Sequence, residues 1–204
     1  TDLSCYDLML SSLPNYVARF RAAGLDAEPF RLAFDPSVLE DLGIDRCDND
    51  VQIASVHDSP GFQGPLPRSG ALPTPATHCD VSFVGSLSRA HRERIAWLEA
   101  VCREIPVQVW GTGVEELPRR SPIRRCYRGE AWGLEMYRIL ARSRVTLNHH
   151  IGIAGEYANN MRLYEATGVG TLLVTDDKRN LGELFEPGRE VITYRSAEEC
   201  AARV

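Results

Sequence analysis

Short apolar runs alternate with amphipathic stretches through the second half of the chain. DVSFVGS (80–86) predicts a strand, and Ile95, Leu98 and Cys102 recur at helical spacing over 89–103. VQVWG (107–111) predicts a second strand. After a polar, arginine-rich loop, Leu134, Tyr137, Leu140 and Ala141 mark a helix over 131–142. The rhythm continues with strand RVTLNHH (144–150), helix 159–167 and strand TLLVTD (171–176). Helix 180–185, the extended REVITY (189–194) and a last helix starting at Ser196 complete it. Apolar strands separated by amphipathic helices predict an α/β fold, with a parallel sheet covered on both faces. Ligands of such sheets bind at the carboxyl ends of the strands.

The first half is less regular. CYDLMLS (5–11) reads as a buried strand, and Pro14 to Ala23 as a helix with proline in its first turn and Gly24 at its end. AEPFRLAF (27–34) returns as an extended segment, giving a β-α-β fragment too short to stand alone, and Asp35-Pro36 breaks the pattern. Between Asp48 and Thr77 the stretch SPGFQGPLPRSGALPTPAT follows neither apolar period and reads as a linker or mobile loop.

Composition narrows the class. The 204 residues, 44% of them hydrophobic, suffice for one good core or two small ones. A net charge of -5 argues against a general nucleic-acid binder, whose phosphate contacts need a basic surface. No apolar run reaches the roughly 18 residues of a membrane span, and no signal peptide is visible. The chain begins with Thr1 rather than Met, so it reads as a fragment or a processed product. Its 6 cysteines lack CxxC or CxH spacing, which points to reduced thiols in a cytoplasmic protein and away from a zinc site.

The candidate chemistry lies at the strand ends. The first ends Gly85-Ser86-Leu87-Ser88, the second Trp110-Gly111-Thr112-Gly113, and the third Asn148-His149-His150. The next helix opens Asn159-Asn160-Met161-Arg162. Glycines there would let a ligand approach the backbone, while Ser, Thr, Asn and His supply neutral hydrogen bonds. A helix start presents unpaired N–H groups and a positive dipole end, a natural seat for phosphate. Arg162 and Glu165 stand i, i+3 on one face, spaced either for phosphate and ribose or for an intrahelical ion pair. The loop 119–133 carries Arg119, Arg120, Arg124, Arg125 and Arg128, either a solvated surface or a contact for an anionic acceptor or partner. Asp176-Asp177 reads as the cap of the following helix.

Taken in order, VSFVGSLSRAHRERIAWLEAV, VQVWGTG, Tyr127-Arg128-Gly129, RSRVTLNHH and NNMRLYEATGVGTLLVTDD resemble the carboxyl-terminal domain of a GT-B glycosyltransferase. More narrowly, they are similar to the CgeB-like (spore maturation) group. The resemblance implies a Rossmann-like parallel sheet with helices on both faces over 79–204, binding a nucleoside-diphosphate sugar as donor without a metal or other cofactor. Residues 1–39 would then be a β-α-β remnant of the amino-terminal acceptor domain, and 40–78 the linker. Glu165 matches the family's ribose-binding glutamate. The backbone at Asn160 and Met161, with Arg162 nearby, would meet the diphosphate. Gly85-Ser86 and Gly111-Thr112 would close over the phosphates, with His149 and His150 on the same edge, and Arg128-Gly129 would border the base. Retaining relatives carry a second glutamate eight positions before the ribose-binding one. Here that position is Tyr157, and Glu156 lies one residue early, as a weak catalytic candidate or a solvated loop residue.

The implied function is sugar transfer to an acceptor hydroxyl or amine, by a two-domain enzyme of which this chain holds the donor side. The alternative is a non-catalytic sugar-nucleotide-binding or interaction module on the same fold. A receiver or flavodoxin-like domain fits less well, since no acidic cluster follows the first strand and no phospho-accepting aspartate ends the third.

Overall fold

The computed structural model describes residues 5–44 and 79–204. Residues 79–204 form a six-stranded, wholly parallel sheet in the order β5-β4-β3-β6-β7-β8. The strands are β3 (Cys79–Val84), β4 (Gln108–Trp110), β5 (Tyr127–Gly129), β6 (Ser143–Asn148), β7 (Leu172–Asp176) and β8 (Val191–Tyr194). Their helices are α3 (Arg92–Glu104), α4 (Ile123–Cys126), α5 (Gly133–Arg142), α6 (Met161–Gly168) and α7 (Ala197–Arg203).

Pleat alternation sends successive apolar side chains to opposite faces, so strands clad on both sides are apolar throughout. Val81, Phe83, Leu147 and Val174 join Leu98 and Val101 of α3 and Cys200 of α7 in one core. Leu173 and Val191 meet Leu163 and Ala166 of α6 on the other face. Val84 packs with Leu140 and Met136 of α5. Full burial of each such side chain contributes roughly 1.5–3 kcal/mol.

From β3 the chain builds outward through β4 and β5, then returns to lay β6 on the other side of β3. The carboxyl ends of β3 and β6 therefore flank the topological switch point, where α/β sheets bind ligands. The predicted loop 119–133 holds α4 and the edge strand β5, which periodicity did not reveal. The predicted helix 180–185 is a single 3-10 turn, Leu181–Glu183.

Residues 5–44 carry β1 (Met9–Ser11), α1 (Pro14–Ala22), β2 (Ala27–Pro29) and α2 (Ser37–Asp41), with β1 and β2 paired in parallel. The strand expected to be buried over 5–11 is shorter and open: Tyr6, Leu8 and Leu10 are exposed, as is Phe30. This segment docks through Phe34, which meets Tyr137 edge-on at 6.0 Å. Phe34 also lies over Gly168, where a Cβ would fall 2.3 Å from its ring. The expected linker falls almost wholly outside the described residues.

Candidate functional site at the strand ends

The ends of β3 and β4 are locked to each other. Gly85 N–H donates to the Trp110 carbonyl at 3.0 Å, Leu87 N–H to Thr112 at 2.7 Å, and Gly111 N–H to Gly129 at 3.0 Å. A Cβ on Gly111 would lie 1.8 Å from the Gly85 carbonyl oxygen, and its φ of +150° is one that L residues rarely adopt. Chain-to-chain approach thus already accounts for this glycine. Ser86 Oγ turns inward to Ser88, accepting from its backbone N–H at 3.3 Å and donating to its Oγ at 3.2 Å. Arg128 is exposed and folds back on the carbonyls of Arg125 and Tyr127. Arg124 holds the carbonyls of Leu117 and Pro118, so part of the arginine-rich segment is structural. Arg119, Arg120 and Arg125 are solvent-exposed.

Helix α6 begins beside the switch point. Asn160 caps it, its side-chain oxygen accepting from Leu163 N–H at 3.3 Å. The other end of that amide donates to Asn148 Oδ1 at 2.7 Å, which ties the helix start to the end of β6. Met161 is exposed. Arg162 Nη1 and Glu165 Oε2 stand 2.9 Å apart, with side-chain exposures of only 12% and 13%. The approach is close but not aligned as a hydrogen bond, so Nη1, like Nε, lacks a hydrogen-bond acceptor. Nη2 reaches only the Met136 sulfur, at 3.3 Å. Burial raises the Glu165 carboxyl pKa, with Arg162 opposing the rise. Burial likewise lowers that of Arg162, with Glu165 opposing. The i, i+3 spacing thus brings the two charges together as an ion pair on one face of α6.

The adjacent histidines divide their roles. His149 stacks on Trp97 at 4.9 Å, and Trp97 stacks on Tyr194 at 5.2 Å. His149 Nδ1 lies 3.0 Å from the Tyr194 hydroxyl, which itself donates to the Asn148 carbonyl at 2.6 Å. Burial lowers the His149 pKa, so the ring is neutral at pH 7. His150 is buried, its Nδ1 2.6 Å from Asp176 Oδ1, which also accepts from His150 N–H at 3.0 Å. Burial alone would raise the Asp176 carboxyl, but the His150 bond and the charges of His150, His149 and Lys178 hold it well below the carboxylate range. Lys178 Nζ lies 3.3 Å from Asp176 Oδ2.

These groups line a cavity of about 530 Å³ at the ends of β6, β7 and β8, reached also by Glu93 of α3. Sequence reasoning missed Trp97, Asp176 and Tyr194 here. Asp176-Asp177 caps no helix: Asp176 serves His150, and Asp177 pairs with Arg195 at 3.0 Å. The usable signal was position, since Asp176 ends the strand beside β6. Glu156 is exposed on the loop before α6, its carbonyl accepting from Arg179 N–H at 2.8 Å. Among the described residues no group of His, Cys, Asp and Glu could hold a metal ion. No helix among them is long and apolar enough to cross a membrane.

A family profile described as glycosyl transferase-like matches residues 92–204, more than half of the chain and the part that carries α6 and both histidines. The chain belongs to that family. Solved structures agree in fold. HepE of Anabaena in complex with UDP-glucose aligns over 97% of this chain and 52% of its own, at 14% identity and a TM-score of 0.57. The same protein with UDP and glucose gives 15% identity and a TM-score of 0.58. AviGT4, a glycosyltransferase involved in avilamycin A biosynthesis, aligns over 96% of this chain and 56% of its own, at 16% identity and a TM-score of 0.52. The chain thus spans about half the length of these structures, and its sheet is of the GT-B, Rossmann-like kind. No curated protein matches it.

Proposed function

We propose that this chain is the donor-binding portion of a glycosyltransferase that moves a sugar from a nucleoside-diphosphate sugar to an acceptor hydroxyl or amine. The observation that carries this reading is the start of α6 beside the switch point, with the largely buried Arg162–Glu165 pair in its first turns. The first N–H groups of a helix have no intrahelical acceptor, and the macrodipole adds partial positive charge there. A diphosphate seated on Met161 would meet both, and Arg162, relieved of Glu165, would add a full charge. Charge building on the leaving diphosphate as the glycosidic bond breaks would then be met by fixed donors rather than a metal. Glu165, freed in turn, would accept hydrogen bonds from ribose hydroxyls.

The remaining donor contacts follow from position: Gly85, Ser86, Gly111 and Thr112 toward the phosphates, Arg128 and Gly129 toward the base, His149 and His150 further along the edge. HepE, whose fold this sheet shares, was solved with UDP and with UDP-glucose. We assign 79–204 to the donor domain, 40–78 to the linker and 1–39 to the end of an acceptor domain. The two-stranded β1–β2 sheet with Leu8, Leu10 and Phe30 open supports the last assignment, since so small a parallel sheet is not stable alone. The order of motifs supports the CgeB-like group, and the free thiols of Cys5, Cys79, Cys102, Cys126 and Cys200 fit a cytoplasmic setting.

A second reading, binding without turnover, is favoured by one observation: Tyr157 and an exposed Glu156 leave no second carboxylate at the retaining spacing. Donor hydrolysis or transfer by the full-length protein separates the two. For the site itself, UDP or TDP should raise the melting temperature, and Arg162→Ala and Glu165→Ala should each weaken nucleotide affinity. Unchanged affinity in both variants would overturn the assignment of α6.

A further inference from the structure

Helix α4 packs against α3, and in that contact Cys102 of α3 and Cys126 at the end of α4 share the core built on Val101, Val107 and Ile123. The Cys126 sulfur lies within hydrogen-bonding reach of the Cys102 thiol. The other described cysteines are placed differently. Cys5 is exposed in the amino-terminal segment, and the Cys79 thiol donates to the Val81 carbonyl at 3.3 Å. Cys200 is buried, and burial alone pushes its thiol up to about 12. No third ligand for a metal joins Cys102 and Cys126 among the described residues, so the chemistry open to the two thiols is with each other.

Their surroundings differ. Cys102 is buried, and burial raises its pKa strongly, with the neighbouring Cys126 adding to the rise, so it keeps its proton at pH 7. Cys126 is half-buried and reaches solvent, and the exposed Arg125 and Arg128 flank it in sequence. Reactive cysteines are partly exposed thiols in electropositive surroundings, and redox-sensing ones stand beside a resolving partner. An oxidant arriving from solvent meets Cys126 first, with Cys102 directly behind it.

We propose that Cys126 and Cys102 form a reversible disulfide, Cys126 as the thiol oxidised first and Cys102 as the thiol that resolves it, and that the bond fastens α4 to α3. The oxidant is of the hydroperoxide class. The Cys126 sulfur attacks a peroxide oxygen, the O–O bond breaks, and water leaves, giving a sulfenic acid. The Cys102 sulfur then displaces the sulfenic hydroxyl, which departs as a second water with the Cys102 proton. Together the thiols give up two electrons and two protons, and one hydrogen peroxide becomes two waters. Strand β5 follows Cys126 directly and is tied to the end of β4: the Tyr127 hydroxyl donates to the Gly111 carbonyl at 2.9 Å, and Gly111 N–H to the Gly129 carbonyl at 3.0 Å. The disulfide therefore steadies the edge of the sheet as well as α4. None of this depends on what α6 binds.

Full-length protein, first reduced and then given a small excess of hydrogen peroxide, tests the pair by thiol titration, intact mass and peptide mapping. The expected result is the loss of both thiols, a linked peptide joining Cys102 to Cys126, and full reversal by dithiothreitol. A cross-link restricts the unfolded chain, so the urea midpoint should rise on oxidation, and amide exchange over 123–129 should slow. In Cys102→Ala the sulfenic acid on Cys126 has no partner and should be captured by dimedone, whereas Cys126→Ser should leave Cys102 reduced. The wild-type peptide map decides even where Cys102→Ala does not fold. Intact thiols at both positions after peroxide, a bridge to another cysteine in their place, or equal dimedone capture by the wild type and folded Cys102→Ala overturns the pair. An oxidised form whose midpoint and exchange rates match the reduced one overturns the fastening of α4.

Discussion

Replacing Glu165 by Gln and Arg162 by Met should cost unequal amounts of stability, although each breaks the same pair. The charges meet at 2.9 Å with side-chain exposures of 12% and 13%. At an effective dielectric near 20, unit charges about 4 Å apart attract by about 4 kcal/mol, and desolvation takes back much of it. The two partners differ in their escape. Burial draws the Arg162 pKa down, yet a guanidinium stays charged at neutral pH, and its Nε and Nη1 have no acceptor to fall back on. Glu165→Gln therefore strands a buried cation, at a cost of about 3–5 kcal/mol. Glu165 can discharge. Burial already raises its pKa against the pull of Arg162, so without Arg162 it rises further and the carboxyl can shed its charge more readily. Arg162→Met should cost about 1–2 kcal/mol at pH 7. A carboxyl whose folded pKa is raised stabilises the fold below its unfolded pKa, and that contribution is lost as pH rises through the folded value. Removing Arg162 widens this window, so the deficit of Arg162→Met should shrink between pH 7 and pH 5. Urea unfolding of the wild type, both single variants and the double variant at the two pH values measures all of this. A cost for Arg162→Met equal to or above that of Glu165→Gln at pH 7, or a deficit that does not change with pH, would refute the argument.

Two further outcomes follow from other parts of the sheet. Gly111→Ala places a methyl 1.8 Å from the Gly85 carbonyl oxygen at a φ of +150°, so the ends of β3 and β4 must part. The expected loss is about 3–5 kcal/mol, from strain and two or three broken hydrogen bonds, read as a lower urea midpoint. A change below about 1 kcal/mol would mean the strand ends are not locked as described. Asp176, with a folded pKa below its ordinary value of 3.8, contributes stability above that value and loses it as pH falls. Asp176→Asn should destabilise at pH 7 and lie closer to the wild type near pH 3. Parallel stability curves across that range would remove His150 as its partner.

The sheet was legible where burial on both faces forces apolar runs, as in VSFV of β3 and LLVT of β7. It was illegible at β5, three residues beginning with Tyr127 inside an arginine-rich stretch, because an edge strand that short need bury little. CYDLMLS misled in the opposite sense: its apolar character announces that something should cover Tyr6, Leu8 and Leu10, not that the cover is within reach. At the site, the spacing of Arg162 and Glu165 showed that they share a face, but not that the face is buried against Met136 and Tyr137. Asp176 was read as a cap because its actual partner, His150, is 26 positions away, and nothing local encodes that pairing.

Asn148 has every polar group of its side chain and its carbonyl committed: to Thr175 through the amide nitrogen, to Asn160 through the amide oxygen, and to Tyr194 through the backbone. Ionised aspartate would have no donor for Thr175, leucine would lose both side-chain bonds, and glutamine would overshoot. Evolution can therefore scarcely move this position by itself. Where the family does change it, the neighbours at 160 and 175 should change in the same lineage, leaving a trace of correlated drift among the three positions.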